Sequence, residues 1–136
     1  MIPVVFINCS RIPFLTYIML YMKLYESRTR NTLRALIGQR VILAETGRKG
    51  GPIARCMVTI GDPLIVTSRA AWRTIRSAVC VPFGSRYDWK PETRKKYLYP
   101  LIDVKSITPF PVPEGVRHGR VWMEYVPAKE ALRYEA

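Results

Sequence analysis

The sequence has little histidine and little cysteine, and both shortages exclude a class of site. His118 is the only histidine, and the three cysteines (Cys9, Cys56 and Cys80) are widely spaced, without a CxxC pair. A tetrahedral zinc site needs three or four such ligands close together, so we expect no metal and no other cofactor. An odd, scattered set of cysteines is typical of a reducing compartment rather than a disulfide scaffold. We therefore predict a cytoplasmic protein.

Long apolar runs are also lacking. The longest apolar stretch, 12–22 (IPFLTYIMLYM), is shorter than the roughly 20 residues that a membrane-spanning helix needs. Only Arg11 precedes it as a basic residue, and no small-residue cleavage site follows it, which differs from a signal peptide. We predict a buried strand followed by a core helix in this region, and no membrane partner.

Acidic residues are few. The 136 residues include 10 Asp and Glu against 22 Lys and Arg, giving a net charge of +12 and a pI near 10.1. Arginine supplies most of the excess, and its planar guanidinium pairs with phosphates and stacks on bases. The balance favours RNA or a nucleotide as the partner. The alternative is a generic basic surface that keeps the protein soluble.

The remaining composition is that of one soluble globular domain, with 49% apolar and 24% charged residues. We predict an α+β fold, a small β-barrel of about five to six strands with two to three short helices, mostly hairpin-like connections and no βαβ rhythm. The domain covers 1–126, and 127–136 forms a C-terminal tail. The predicted strands are 4–9, 40–45, 53–60, 99–107 and 120–126, and the predicted helices are 10–22, 69–79 and 91–97.

One charged segment, 23–30 (KLYESRTR), directly follows the first apolar helix. If the chain is extended from Tyr25 onward, Glu26, Arg28 and Arg30 lie on one face, and Lys23 reaches the same face from the preceding turn. Glu26 can then hold Arg28 in position while the spare N–H groups of Arg28 face a phosphate or a base edge. This arrangement predicts a basic cleft. The alternative is a solvated network of surface ion pairs.

The same segment resembles the ASCH-domain motif G-x-K-x-x-E-x-R, matched here by Lys23, Glu26 and Arg28. Residues 36–45 are similar to the next strand of that family and 117–122 to its closing strand, so the likeness covers roughly 2–126, although only the first motif is specific. The resemblance implies a PUA-like barrel with a cleft that binds RNA. The residues that we predict to contact nucleic acid are Lys23, Glu26, Arg28, Arg30, Arg34, Arg117 and Arg120.

Some ASCH proteins are enzymes, which leaves a small hydrolase as the alternative function, either a ribonuclease or a modified-nucleoside amidohydrolase. Lys23 and Glu26 would then be the catalytic residues. The amidohydrolases are thought to use the motif lysine with a threonine three residues on, a position that Glu26 occupies here. A lysine nucleophile needs a lowered pKa, which Arg28 and Arg30 favour and Glu26 opposes. We therefore predict binding rather than catalysis. A scaffold for an acidic protein is a third hypothesis.

The motif glycine is replaced by Tyr21. A glycine there would supply a left-handed backbone as the helix ends, so we expect strain at Tyr21 and a gain in stability from Tyr21→Gly. Alternatively, the ring of Tyr21 offers a stacking surface in the cleft.

Other residues have two interpretations each. His118 is predicted to be structural or to contact RNA, and residues 87–90 (YDWK) form either a stacking edge for bases or a lid on the core. Trp72 and Trp122 are predicted to lie in the core. Residues 94–96 (RKK) are predicted to be a solvated helix face that attracts phosphate if it borders the cleft, and 47–51 (GRKGG) a flexible hairpin.

Overall fold

The computed structural model describes residues 2–113, 115–118 and 121–125, and of Arg117 it describes the backbone alone. The predicted tail, 127–136, lies outside the described residues. Within them the chain forms eight strands, two α-helices and one 3-10 turn. In chain order these are β1 (Ile2–Asn8), α1 (Phe14–Met19), β2 (Tyr25–Arg28), the 3-10 turn (Arg34–Leu36), β3 (Arg40–Thr46), β4 (Ile53–Ile60), β5 (Leu64–Val66), α2 (Arg69–Val79), β6 (Lys96–Pro111), β7 (Val116–His118) and β8 (Trp122–Tyr125).

All eight strands belong to one curled sheet, in the order β2-β6-β4-β3-β1-β8-β7, with β5 paired to β6. The pair β1–β3 is parallel, from Val4 opposite Ile42 to Asn8 opposite Thr46, and the other pairs are antiparallel. A parallel pair requires a crossover, which here contains α1 and β2. The antiparallel pairs fit the prediction of mostly hairpin-like connections, and this crossover departs from it.

Strand β6 organises the sheet because it is 16 residues long and pairs with three other strands. Strands β2 and β5 pair with the same part of β6, around Tyr97 and Leu98, and so lie on its opposite edges. Its pairing with β4 is interrupted by two register shifts, and Asp103, at the second, has a φ of 52°. Such bulges bend a strand and increase its twist, and the sheet consequently curls into a half-barrel.

Most of the apolar core lies between the curled sheet and the two helices. Its large, fully buried side chains include Leu15 and Ile18 of α1, Trp72 of α2, and Leu98 and Tyr99 of β6. A smaller cluster around Ile42 and Met123 forms a separate core. Trp72 is in the main core, as predicted. Trp122 is only half-buried and packs against the main core from its edge.

The sequence pattern located the regular elements well where apolar residues were continuous. The strands predicted over 4–9, 40–45 and 53–60 and the helix over 69–79 are confirmed, and the Ser68 hydroxyl accepts a hydrogen bond from the Ala71 N–H (3.1 Å) at the start of α2. The helix predicted over 91–97 was wrong, since residues 91–95 form a turn and an irregular segment before β6. The strand count was too low because β2, β5 and β7 were not recognised.

The start of α1 also differs from the prediction. The helix begins at Phe14 with Pro13 at its N-cap, and no side chain caps it. Ser10 instead donates its hydroxyl hydrogen to Asn8 (2.7 Å) in the preceding turn.

No helix among the described residues is long and apolar enough to cross a membrane. Cys9 and Cys56 are buried and unpaired.

Tyr21 has a φ of 59°, as expected for a residue in the position of the motif glycine. Its ring is exposed, and its hydroxyl makes only a long hydrogen bond to the Val104 carbonyl (3.4 Å). Relief of a left-handed backbone is worth on the order of 1–2 kcal/mol, whereas the extra freedom of glycine in the unfolded chain costs about 0.4–1 kcal/mol.

We therefore expect Tyr21→Gly to raise the free energy of unfolding by up to about 1 kcal/mol in urea denaturation. Tyr21→Ala is the matched control, because it removes the same ring but keeps a Cβ at positive φ. A glycine variant no more stable than wild type, or no more stable than the alanine variant, would show that this turn is unstrained.

Candidate functional site

A cleft of about 980 Å³ opens between the end of β1, strand β2 and the segment that precedes β6. Eight Lys and Arg residues and three Asp and Glu residues line it, so its wall is strongly cationic. The charged residues are Lys23, Glu26, Arg28, Arg30, Arg86, Asp88, Lys90, Glu92, Arg94, Lys95 and Lys96. Lys23, Glu26, Arg28 and Arg30, four of the predicted site residues, thus share one cleft.

Lys23 lies at the base of this cleft and is only 2% exposed. Its ammonium group donates a hydrogen bond to the Val79 carbonyl (2.8 Å) at the end of α2, lies 3.7 Å from Glu26 Oε1 and sits 4.6 Å from the centre of the Phe14 ring. The carboxyl end of a helix attracts a cation because its last carbonyls are unpaired. Burial nevertheless lowers the pKa of Lys23, and the charge of Glu26 opposes that effect.

Glu26 and Arg28 lie on the same face of β2, as the extended reading predicted. Arg28 Nη2 is 3.3 Å from Glu26 Oε2 and also donates to the Phe6 carbonyl on β1 (3.3 Å). Glu26 Oε1 accepts from the Ser27 N–H (3.0 Å). Three strands separate β2 from β1 in the sheet, so the contact between Arg28 and Phe6 depends on the curl. The arginine is held in place and still presents donors to the cleft.

Lys96, the first residue of β6, lines the cleft, although the sequence reading did not place it among the central residues. It was predicted to be solvated, but it is 3% exposed and lies 4.1 Å from the centre of the Trp72 ring while donating to the Tyr87 carbonyl. Burial lowers the pKa of Lys96 to about 8, with Lys23 and Lys90 adding to the effect and Asp88 opposing it. The cleft therefore has a second buried ammonium group.

Asp88 fixes the segment that forms this wall of the cleft. Its Oδ1 accepts from the Trp72 indole N–H (2.6 Å) and the Trp89 N–H (2.8 Å), and its Oδ2 accepts from the Gly84 N–H (2.7 Å). Desolvation alone would raise the pKa of Asp88, but these hydrogen bonds outweigh it and lower the pKa to about 2. A loop without regular secondary structure is thus anchored to α2.

The other predicted residues are less central. Arg34 is exposed on the 3-10 turn and does not line the cleft. Arg120 and the side chain of Arg117 lie outside the described residues. His118 stacks on Trp122 (4.3 Å between ring centres) and lies 3.8 Å from Glu124, away from the residues that line the cleft.

Of the aromatic residues predicted to offer a stacking surface, Tyr87 lines the cleft and Tyr21 does not. Tyr21 does not line the cleft, so its ring is no stacking surface there. Tyr87 lines the cleft and packs edge-on against Phe14 (5.2 Å), which favours the interpretation of a lid on the core. Arg94 and Lys95 border the cleft, although on an irregular segment rather than a helix. Within the described residues no group of His, Cys, Asp and Glu could hold a metal ion.

Comparison with solved structures finds the crystal structure of ASCH from Zymomonas mobilis, at 17% sequence identity and a TM-score of 0.65, over 80% of this chain and 72% of that chain. A serine-to-alanine mutant of ZmASCH from Zymomonas mobilis matches at 15% identity and a TM-score of 0.70, over 91% of this chain and 87% of that chain. The chain has the fold of an ASCH domain. Comparisons with protein-family sequence models and with curated protein sequences give no match.

The resemblance to ASCH domains predicted from the sequence is therefore confirmed at the level of the fold. The segment 23–28, in which the sequence analysis saw a likeness to the family motif, lies where α1, α2 and β2 meet, at the base of the cleft.

The contacts of Asp88 predict an acid-sensitive contribution to stability. Asp88→Ala leaves the Trp72 indole and two backbone N–H groups without this acceptor, so we expect a loss of about 1–3 kcal/mol at pH 7. The folded pKa of about 2 lies below the unfolded value of about 3.9. The charge of Asp88 therefore stabilises the fold fully above about pH 5, and this contribution is lost as the pH falls toward 2.

Urea denaturation from about pH 7 down to pH 2.5 measures this difference, with Asp88→Asn as the control that keeps an acceptor oxygen but no charge. The difference in free energy of unfolding between wild type and the asparagine variant should become smaller as the pH falls. If this difference in free energy of unfolding were the same from about pH 7 to pH 2.5, the charge of Asp88 would have no stabilising role.

Proposed function

We propose that this protein binds RNA or a nucleotide in the cleft, with Lys23, Glu26 and Arg28 at its centre and Arg30 and Lys96 beside them. The observation that carries the proposal is the pair of buried ammonium groups, Lys23 and Lys96, in a cleft where Lys and Arg outnumber Asp and Glu by eight to three.

A buried charge is costly unless a group of opposite charge compensates for it. Glu26 lies beside Lys23 but is shared with Arg28, and the oxygens of Asp88 already accept three hydrogen bonds. Phosphate is a suitable further partner, because each of its oxygens can accept several charge-assisted hydrogen bonds. RNA also has bases, for which the guanidinium groups of Arg28 and Arg30 offer planar surfaces.

Arg34, Arg117 and Arg120 stay predictions as nucleic-acid contacts, and of these Arg34 is exposed and does not line the cleft. The cytoplasmic location also remains a proposal, in keeping with three unpaired cysteines.

One observation favours the alternative function, a ribonuclease or a modified-nucleoside amidohydrolase. Burial lowers the pKa of Lys23, and a lysine nucleophile or base requires such a shift. In the structure, however, the ammonium group of Lys23 is a donor to the Val79 carbonyl and an ion-pair partner of Glu26. Binding is therefore the function that we put first.

The first experiment measures the affinity of wild type, Lys23→Met and Arg28→Gln for short RNAs across a salt series, while the RNA is checked for cleavage. Loss of a charge-assisted hydrogen bond is worth about 1.5–3 kcal/mol, so each variant should bind at least about tenfold more weakly. The slope of log affinity against log salt should fall by about 0.7 for each lost contact with single-stranded RNA.

Lys49→Gln is the matched control, because Lys49 is an equally charged residue in an exposed turn outside the cleft. Melting temperatures establish that the variants are folded. RNA that stays intact and binds poorly to both cleft variants supports the proposal. RNA cut by wild type but not by Lys23→Met would establish the hydrolase, and binding indifferent to both cleft variants would leave the motif as structural ion pairs.

The low pKa of Lys96 gives a second prediction. The free protein loses the Lys96 charge as the pH rises through about 8, and RNA phosphates do not titrate there, so RNA affinity should weaken between about pH 7 and pH 9. The Lys96→Met variant should bind RNA more weakly than wild type at pH 7, and its RNA affinity should change less between pH 7 and pH 9. Any pH dependence of affinity that remains in the variant belongs to other groups, and a pH dependence as steep as that of wild type would exclude Lys96 as a contact.

A further inference from the structure

A second groove, of about 410 Å³, adjoins the cleft at Asp88, which lines both. Trp72 also lines this groove, while Lys96 of the cleft lies over the ring of the same tryptophan. Trp72 and Asp88 therefore form the partition between the two depressions. The other residues of the second groove are Arg69, Arg73, Arg76, Phe83, Gly84 and Trp89.

The charges of this groove come from one face of α2. Arg69, Arg73 and Arg76 follow each other at intervals of four and three residues, and residues so spaced project from the same side of a helix. Arg69 and Arg73 are exposed and form no ion pair within the described part of the chain. Asp88 is the one acidic residue in the lining, and its oxygens are already engaged. The groove thus has a row of three guanidinium groups, of which those of Arg69 and Arg73 have no acidic partner among the described residues.

The aromatic side chain of the groove is Phe83. It is 78% exposed, more than any other large apolar side chain among the described residues. The Arg76 guanidinium lies 5.6 Å from the centre of its ring and donates to the Val81 carbonyl (3.1 Å). The hydrogen bond from Gly84 to Asp88 holds the loop next to Phe83. An exposed ring on an anchored loop, beside a row of arginines, is an arrangement on which single-stranded nucleic acid stacks its bases.

We propose that this groove is a second contact surface for single-stranded RNA, with an unpaired base stacked on Phe83 and phosphates held by Arg69 and Arg73. The inference rests on the proposed function, since it extends the strand bound in the cleft past Asp88 onto α2. An acidic peptide would form ion pairs with the arginines, but its carboxylates would not stack on the exposed ring of Phe83.

The test compares RNAs of about three and about twelve nucleotides, because only the longer one reaches both depressions. The variants are Phe83→Leu, which keeps an apolar side chain but removes the ring, and Arg73→Gln. Leu20→Ala and Lys49→Gln are the controls, each changing an exposed side chain of the same kind away from both depressions. Phe83 and Arg73 are exposed, so the fold should be unaffected, and melting curves check this.

We expect each groove variant to weaken binding of the longer RNA about fivefold to a hundredfold and to leave the short RNA unchanged. Arg73→Gln should also reduce the salt slope, whereas Phe83→Leu should not. Equal binding of the longer RNA by wild type and both variants would overturn the inference. So would an equal loss for both lengths, or displacement of the RNA from the groove by polyglutamate as effectively as by unlabelled RNA.

The two proposals fail in different ways. If Lys23→Met and Arg28→Gln bind both RNAs normally while the groove variants lose the longer one, the cleft proposal is wrong, and the groove then binds RNA by itself rather than as a continuation of the cleft. If the cleft variants lose both RNAs and the groove variants lose neither, the cleft proposal stands and the groove inference is wrong.

Discussion

Burial of the Lys23 ammonium group constrains the three elements that surround it. A lysine this far from solvent needs acceptors and a counter-charge, and they come from separate parts of the chain: the Val79 carbonyl at the end of α2, the carboxylate of Glu26 on β2 and the ring of Phe14 on α1. The end of α2 is further tied to this region by the Leu24 N–H, which donates to the Ala78 carbonyl (2.7 Å). The base of the cleft is therefore defined by one charge and its partners.

Lys96 repeats this arrangement with different partners. Each buried lysine lies over an aromatic ring and donates to a main-chain carbonyl, Phe14 and Val79 for Lys23, Trp72 and Tyr87 for Lys96. Because Trp72 also donates to Asp88, the same tryptophan connects the second lysine to the loop before β6. The hydrogen bonds of Asp88 thus hold the cationic wall of the cleft in place. They anchor the loop before β6 although it has no regular secondary structure.

The sequence predicted the parts of this site that depend on local spacing. Glu26 and Arg28 are two residues apart, and an extended chain places such residues on one face wherever the strand lies. Lys96 could not be assigned in this way, because it follows Arg94 and Lys95 and looks like a third solvated cation. Its ammonium group is buried by contacts that are distant in sequence, with the Trp72 ring of α2 and the Tyr87 carbonyl, and its backbone pairs with Val66 of β5. Strand β6 itself was underestimated because Pro100, Pro109 and Pro111 are unusual within a strand.

The same contacts bear on the choice between binding and catalysis. A nucleophilic lysine must be neutral, with its lone pair directed at the substrate, and the lowered pKa of Lys23 favours the first condition. The second conflicts with the geometry, since a neutral amine would lose its attraction to Glu26 and weaken its hydrogen bond to Val79. Glu26 would then be paired with Arg28 alone. A charged Lys23 satisfies all three partners at once, so the arrangement stabilises the ammonium ion that an anionic ligand requires.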